Sequence, residues 1–437
     1  MKILVLNSGS SSQKSSLFEV PADAPLDPPV PLWEGTIEWS SGETTPGGRQ
    51  AVPAGGQENE ESETTPLQAA IHVRTSRGAD IRERTNAASR KQAIRQVLET
   101  LWSGETRVIS GPSEISAVGH RVVHGGPKYK QPVRITPEVK EAIAQLETFA
   151  PLHNRAELAG MDLIDERLGS VPQFAVFDTA FHSQMPEAAF VYPGPYDWLE
   201  QGIRRYGFHG INHQYCAERA AQLLNRDLAS LKIVTCHLGN GCSLAAIRDG
   251  HSVDTTMGFT PLEGLMMGTR SGSVDPGILT FLASARGVSG QHLDKMLNMQ
   301  SGLIGISGVS GDMREVEAAM NGGNVRAKLA FDIFVHRLRS GIGAMIAVLG
   351  GIDALVFTAG IGEHSVAVRA AACDNFGYLG LKIDPAKNAR VSPDGNISAG
   401  DSGAHVLVIH AQEDWAIARQ TRQLLSGSRE TESARRY

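Results

Sequence analysis

Four cysteines in 437 residues, Cys216, Cys236, Cys242 and Cys373, with no CxxC pair among them, give no framework for a secreted disulfide scaffold. Reduced thiols in a cytoplasmic protein are the expectation. Basic excess is also lacking. The 41 Lys and Arg against 47 Asp and Glu leave a net charge of −6. That argues against a general nucleic-acid or anionic-membrane binder, with local basic clusters left open. No run reaches the roughly 20 apolar residues of a membrane span. The longest, Gly341 to Phe357, contains Asp353 and four glycines, and reads as a buried helix running into a buried strand. The N-terminus turns polar at Asn7 after four apolar residues, short of a signal-peptide core of about 7–15. Neither a G-x-x-x-x-G-K-[ST] phosphate loop nor an H-E-x-x-H zinc motif occurs. Aromatics are sparse at 6%.

Glycine, by contrast, is abundant: 47 residues, above the usual share of about 7%. Without a collagen period, so many glycines point to tight turns where backbone approaches backbone or ligand. At roughly 100–200 residues per domain, two or three domains are expected. Strand and helix patterns alternate from end to end, which is an α/β arrangement. Strands are predicted at Ile3–Leu6, Leu17–Val20, Ile115–Val118, Phe174–Phe177 and Lys232–Cys236. Helices are predicted at Lys91–Trp102, Pro137–Leu146 with Thr136 as N-cap, Arg155–Leu168, Asn212–Leu224, Phe281–Gly287, Val325–Val348 and Ala411–Leu425. Residues 40–66 shift to Pro, Gly, Glu, Ser and Thr and read as a flexible surface insertion.

One grammar occurs twice. Ile3–Leu6, then Asn7-Ser8-Gly9-Ser10-Ser11-Ser12, then Ser15–Phe18 reads strand, glycine and hydroxyl turn, strand. Ile233–Cys236, then His237-Leu238-Gly239-Asn240-Gly241, then Leu244–Ile247 reads the same way. A third strand-to-glycine turn is expected at Val356–Glu363. The pattern suggests an internal duplication with a cleft between the copies. Such turns present N–H groups and hydroxyls to phosphate oxygens, and Lys14 would add positive charge; a single one is as readily just a turn.

Arg121, in Gly119-His120-Arg121-Val122-Val123-His124-Gly125-Gly126, follows a strand among glycines. It is either a surface ion pair or a planar fork for a carboxylate or phosphoryl group. Thr255 to Gly277 crowds Gly, Pro and Thr around Arg270, as a loop that must aim one guanidinium would. His209 and His213 have helical metal spacing, but Gly207 and Gly210 put His209 in a turn, where a hydrogen bond to a reacting group suits it better. Asp178 is flanked by apolar residues, and reads as a turn aspartate or a working carboxylate. Glu413 and Asp414 open the last helix, where acids favour the dipole.

Taken together these strings resemble the acetate kinase (acetokinase) family. The matches run in order: Asn7 to Lys14, Gly119 to Gly126, Phe177 to His182, Arg205 to Gly210, His237 to Gly241, Thr256 to Pro276, Asp312-Met313-Arg314 and Gly360 to Glu363. They cover nearly the whole chain. The resemblance implies the superfold shared by actin, sugar kinases and chaperone ATPases, two ribonuclease-H-like lobes around a nucleotide cleft. It implies a first lobe over 1–177, a second over 178–414 and a final helix, 415–437, packing back on the first. The implied reaction is reversible transfer of the ATP γ-phosphoryl group to acetate, giving acetyl phosphate and ADP, with magnesium or manganese, in a cytoplasmic homodimer. A propionate or butyrate kinase of the family is the alternative within this class. A non-catalytic actin-like ATP-binding scaffold is the alternative outside it.

By resemblance, Asn7 and Glu413 correspond to the metal site, and Arg121 to the carboxylate-binding arginine. Asp178 corresponds to the catalytic acid, and His209 and Arg270 to the groups that stabilise the transition state. Val123, Leu152, Phe208 and Pro261 correspond to the apolar pocket for the acetate methyl. Lys14 and the turn His237, Leu238, Gly239, Asn240 and Gly241 correspond to phosphate and nucleotide contacts. Asp312, Met313 and Arg314 correspond to adenosine contacts, as do Gly360, Ile361, Gly362, Glu363 and His364. Gln13 stands where leucine is usual, His364 where asparagine is common and Arg155 where proline is usual.

Overall fold

A computed structural model of the chain describes residues 1–9, 12–39, 67–148 and 151–434. The insertion expected at 40–66, and Ser10 and Ser11 of the first turn, lie outside the described residues. The chain divides into two compact units. The first comprises Met1–Val122, Pro132–Val176 and Asp414–Tyr437; the second comprises Val123–Gln131 and Phe177–Glu413.

The first unit is built on an eight-stranded sheet in the order β5-β4-β3-β2-β1-β6-β8-β7. Its strands are β1 (Lys2–Ser8), β2 (Ser12–Glu19), β3 (Trp33–Trp39), β4 (Leu67–Thr75), β5 (Asp80–Ala87), β6 (Ile115–Val122), β7 (Val133–Arg134) and β8 (Gln173–Phe177). Ile3 to Leu6 of β1 are buried on both faces, hence the unbroken apolar run. Strand β1 pairs antiparallel with β2 and parallel with β6. The fully buried Trp33 belongs to one apolar cluster with Ile94, Val97 and Leu98 of the helix Arg90–Glu99 and Leu163 and Ile164 of the helix Pro151–Leu168. Gly35 makes room for it: a Cβ there would lie 2.5 Å from both the Trp33 ring and Val97. The last helix, Glu413–Ala434, is tied in by Trp415, whose Nε1 donates to the carbonyls of Pro25 and Leu26.

The second unit repeats the plan with six strands in the order β11-β10-β9-β12-β14-β13. These are β9 (Ile233–Leu238), β10 (Cys242–Arg248), β11 (His251–Thr255), β12 (Ala354–Thr358), β13 (Gly395–Asn396) and β14 (His405–Val408). The run β3-β2-β1-β6-β8 of one sheet thus corresponds to β11-β10-β9-β12-β14 of the other. In both, an antiparallel meander is followed by a parallel neighbour of its first strand. The 25-residue helix Val325–Leu349 turns Ala327, Phe331, Phe334, Leu338, Ile342 and Met345 inward at helical spacing. It is capped by Asn324, which accepts from the N–H of Ala327, and ends at Gly350 with φ 65°. Among the described residues no helix is long and apolar enough to cross a membrane.

Two expectations need correction. Gly360 to Glu363 is not a turn between strands: β12 stops at Thr358, Ala359 turns through φ 63°, and Ala359–His364 is a short helix. A Cβ on Gly362 would only reach ordinary contact, 3.4 Å from the carbonyl carbon of Phe357 and 3.6 Å from the oxygen of Cys236, and one on Gly360 would meet nothing within 4 Å. Arg121 does not follow a strand but is the penultimate residue of β6.

Candidate active site

In the first unit the functional side chains gather at one end of β1. Asn7 is buried and pairs in register with Lys14, which is exposed. Asn7 Nδ2 donates to Asp414 Oδ1 at 2.9 Å, and Asn7 Oδ1 accepts from Arg121 Nη1 at 3.3 Å. Ser16 Oγ donates to the other Asp414 oxygen at 2.7 Å. Asp414 therefore orients Asn7, and Asn7 in turn meets the arginine of β6. Nothing in the sequence distinguishes Asp414 from any acid in a first helical turn. The unusual Gln13 is buried and accepts from Ser8 Oγ across the hairpin. Arg155 is exposed on its helix. Leu152 lies on the same helix, with its side chain outside what is described.

In the second unit the convergence point is the turn Gly239-Asn240-Gly241 between β9 and β10, closed by a hydrogen bond from Gly239 N to Gly241 O at 3.0 Å. A Cβ on Gly241 would lie 3.4 Å from the His209 ring and 3.5 Å from Arg270 Nη1. The side of Gly241 where a side chain would stand therefore faces both groups. His209 sits at φ 58° at the N-terminus of the helix Gly210–Leu224, a left-handed conformation rare for a residue with a Cβ. Its ring stacks on His237 with centroids 3.9 Å apart, and its Nδ1 lies 2.8 Å from Ser243 Oγ. Ser243 Oγ is also 2.8 Å from Nε2 of His213, which is fully buried with its Nδ1 on Thr235 Oγ1. Desolvation, then the charges of His182 and His237, hold His213 neutral, its pKa well below the ordinary value. Both of its nitrogens are engaged by hydroxyls, so His213 supports Ser243, the partner of His209. Asn212 Nδ2, which can only donate, meets His237 Nδ1 at 2.8 Å and puts the proton of a neutral His237 on Nε2. His237 Nδ1 is 4.0 Å from Glu413 Oε1.

The loop carrying Arg270 has no regular structure and is fixed by its glycines. Gly268 N donates to Asn240 O at 3.1 Å, and a Cβ on Gly268 would come within 2.3 Å of Asn240 Oδ1. Arg270 Nη1 donates to Pro261 O at 3.4 Å. The buried Asp178 follows β8, and its carbonyl accepts from Gly210 N at 2.9 Å, which joins it to the His209 turn. A side chain at Gly210 would strike that carbonyl at 2.2 Å. Val123 and Phe208 are buried and Pro261 is half-buried.

The two segments expected to contact adenosine differ in character. Asp312 caps the helix Met313–Asn321 through Arg314 N, and its carboxylate holds the exposed Arg314 guanidinium, which lowers the Asp312 pKa. Glu363 is buried: Oε1 accepts from Ala411 N at 2.9 Å and Oε2 meets His410 Nδ1 at 2.5 Å. Its carboxylate is thus spent on the segment leading to Glu413, and His364 beside it is exposed.

Residues 2–419 match the family model described as the Acetokinase family. The chain belongs to the acetokinase family. Acetate kinase of Gloeobacter violaceus is 58% identical over 428 residues, covering 97% of this chain and 100% of that protein. Acetate kinase of a Cyanothece strain is 55% identical, covering 97% and 98%. The crystal structure of Porphyromonas gingivalis acetate kinase superposes with a TM-score of 0.83 at 38% identity, over 97% of this chain and 99% of that one. A propionate kinase from Francisella tularensis superposes with a TM-score of 0.82 at 35% identity, over the same shares. The duplicated α/β plan is therefore the acetokinase fold. What the sequence motifs missed in this acetokinase are the orienting partners Asp414, Asn212, Ser243 and His213.

Proposed function

We propose that this chain is an acetate kinase, transferring the γ-phosphoryl group of ATP to acetate by direct in-line displacement, reversibly, to give acetyl phosphate and ADP. The observation that carries the mechanism is the meeting of His209 and Arg270 at Gly241. Acetate is ionised at pH 7, its pKa lying near 4, so no base is needed to create the nucleophile. The obstacle is repulsion between an anion and a polyanion. Arg121 grips the acetate carboxylate as a planar fork. Arg270 and His209 neutralise the equatorial oxygens of the phosphoryl group in flight, in the manner of an arginine finger supplied in cis. Val123, Leu152, Phe208 and Pro261 enclose the methyl group. The turn His237–Gly241 with Lys14 receives the phosphates, and Asp312–Arg314 with Gly360–His364 receives the nucleoside.

Asn7 and Glu413 would hold magnesium. Amide and carboxylate oxygens suit a hard cation, and Asn7 Oδ1, which accepts from Arg121 Nη1 here, would exchange that donor for it. Among the described residues no group of three or more His, Cys, Asp or Glu is placed to hold a metal ion. When bound, magnesium supplies charge neutralisation on the phosphates. Asp178 mainly orients magnesium or Arg270 rather than moving a proton. An Asp178→Asn variant is expected to lose about 10²–10³ in kcat while keeping the pH–rate profile of the parent; rescue by added weak bases would show that it acts as a base instead.

Exposed Val274, Ile278, Phe281 and Met299 lie on or beside the helices Pro276–Arg286 and Gly290–Met299, neither of which buries a residue. They support a homodimer, which we place in the cytoplasm. The deciding assay is ATP- and magnesium-dependent hydroxamate formation with acetate, propionate and butyrate in hydroxylamine. Acetate is expected to lead. Propionate leading would keep the mechanism and move the substrate, and no product from any acid would overturn the reading.

A further inference from the structure

The loop from Thr255 to Glu263 has no helix or strand of its own beyond the last residue of β11, yet its backbone acceptors are taken one after another. Arg205 Nη1 donates to the carbonyls of Thr255, Thr256 and Met257 at 3.0, 3.0 and 3.1 Å. The next carbonyl, Gly258, accepts from the N–H groups of Tyr206 and Gly207 at 3.0 and 3.3 Å. The other arm of the same guanidinium, Nη2, reaches Glu263 Oε1 at 2.7 Å, so one side chain grips both ends of the loop. Glu263 Oε2 accepts from the Tyr192 hydroxyl, and that hydroxyl accepts from Phe259 N at 2.9 Å. Burial, reinforced by Glu263, pushes the Tyr192 pKa up and keeps its proton in place. Gly258 is the residue this packing requires, because a Cβ would fall 1.7 Å from Glu263 Oε2 and 2.1 Å from the Tyr192 hydroxyl oxygen.

What the grip holds is the stretch Phe259-Thr260-Pro261. Pro261, assigned above to the methyl pocket, presents its carbonyl to Arg270. Loops without such anchoring are the mobile parts of a fold. A wall meant to tell acetate from propionate must resist displacement by one methylene. We propose that Tyr192, Arg205 and Glu263 form a clamp that fixes Phe259–Pro261 and thereby sets the acyl-chain length accepted by the enzyme. They are positioning residues, acting through Pro261 and touching no substrate. This inference rests on the carboxylate-kinase reading above and deepens it.

Tyr192→Phe removes one hydroxyl and leaves the ring beside Arg205, whose guanidinium carbon lies 5.6 Å from its centroid. With kcat/KM measured for acetate and for propionate, the propionate-to-acetate ratio is expected to rise about fourfold, the worth of one methylene no longer excluded. The change should sit in the KM for the acids, with the KM for ATP within twofold of the parent. Arg205→Lys, which keeps the charge and loses the fork, should move the ratio the same way and further. A ratio unchanged in both variants, with the two acids losing activity in parallel, would make the clamp a mere scaffold and overturn the proposal. Parent protein that forms no hydroxamate from either acid would instead overturn the kinase reading, and the clamp's role with it.

Discussion

Replacing Arg270 with alanine is expected to lower kcat by about 10³–10⁵, with the KM for ATP nearly unchanged. The size follows from the role. In the proposed mechanism an anion attacks a polyanion, and the guanidinium facing Gly241 would be a preorganised positive charge for the phosphoryl group at its transition state. Its geometry is fixed in advance by Pro261 O and by the Gly268 contact to Asn240, so little reorganisation accompanies the reaction. Arg270→Lys should recover only a small part, because a point charge on a flexible stem cannot reproduce a fork held in a set direction. Steady-state rates in both directions check this. A loss under tenfold in Arg270→Ala would remove the arginine from the chemistry.

The second large effect concerns stability toward acid. Burial lowers the pKa of His120, His124 and His182 from 6.5 to about 4 each. His120 donates to Gln173 Oε1, with Lys140 and Asp165 as the nearest charges. His124 accepts from Gly126 N at Nδ1 and faces the Phe259 backbone. His182 lies between Ser252 and Phe208 O, with Arg205 near. In each case the unfolded chain takes up the proton near pH 6.5, whereas the folded chain resists until about 4. Stability is therefore complete above about pH 7 and is lost as the pH falls from 6.5 toward 4. At about 1.36 kcal/mol per pH unit, each histidine costs about 3 kcal/mol at the end of that window. Three together come to about 10 kcal/mol, comparable with the whole stability of an ordinary domain. Thermal melts from pH 7.5 to 4 should show a steep fall in Tm beginning near 6.5. Carboxylates with lowered pKa values, such as Glu363, add their own loss only below about 4.5. A Tm flat down to pH 5 would contradict the neutral burial of these rings. His120→Asn, which can still meet Gln173, should make the fall shallower.

Much of this was legible in the residues themselves. The unbroken apolar run of β1 is dictated by a strand buried on both faces, and the repeated hairpin grammar foretold the matching strand orders of the two sheets. Arg270 announced itself because a loop that aims one guanidinium needs glycines where backbone meets backbone. His209 was placed in a turn by Gly207 and Gly210, and its φ of 58° agrees. The third glycine turn was misread, since glycine before a helix and glycine in a hairpin leave the same letters.

What only the tertiary structure decided are the partners of those residues. Asn7 is oriented by Asp414, 407 positions away, and no local pattern encodes a contact at that separation. Ser243 and Asn212 hold His209, His213 and His237, yet each looks like an ordinary strand or helix residue in sequence. Arg205 grips three successive carbonyls, and carbonyls carry no sequence signature at all. Composition and periodicity record which faces are buried and where the backbone must bend. Which distant polar groups then satisfy one another is fixed only when burial shuts out water and brings them within reach.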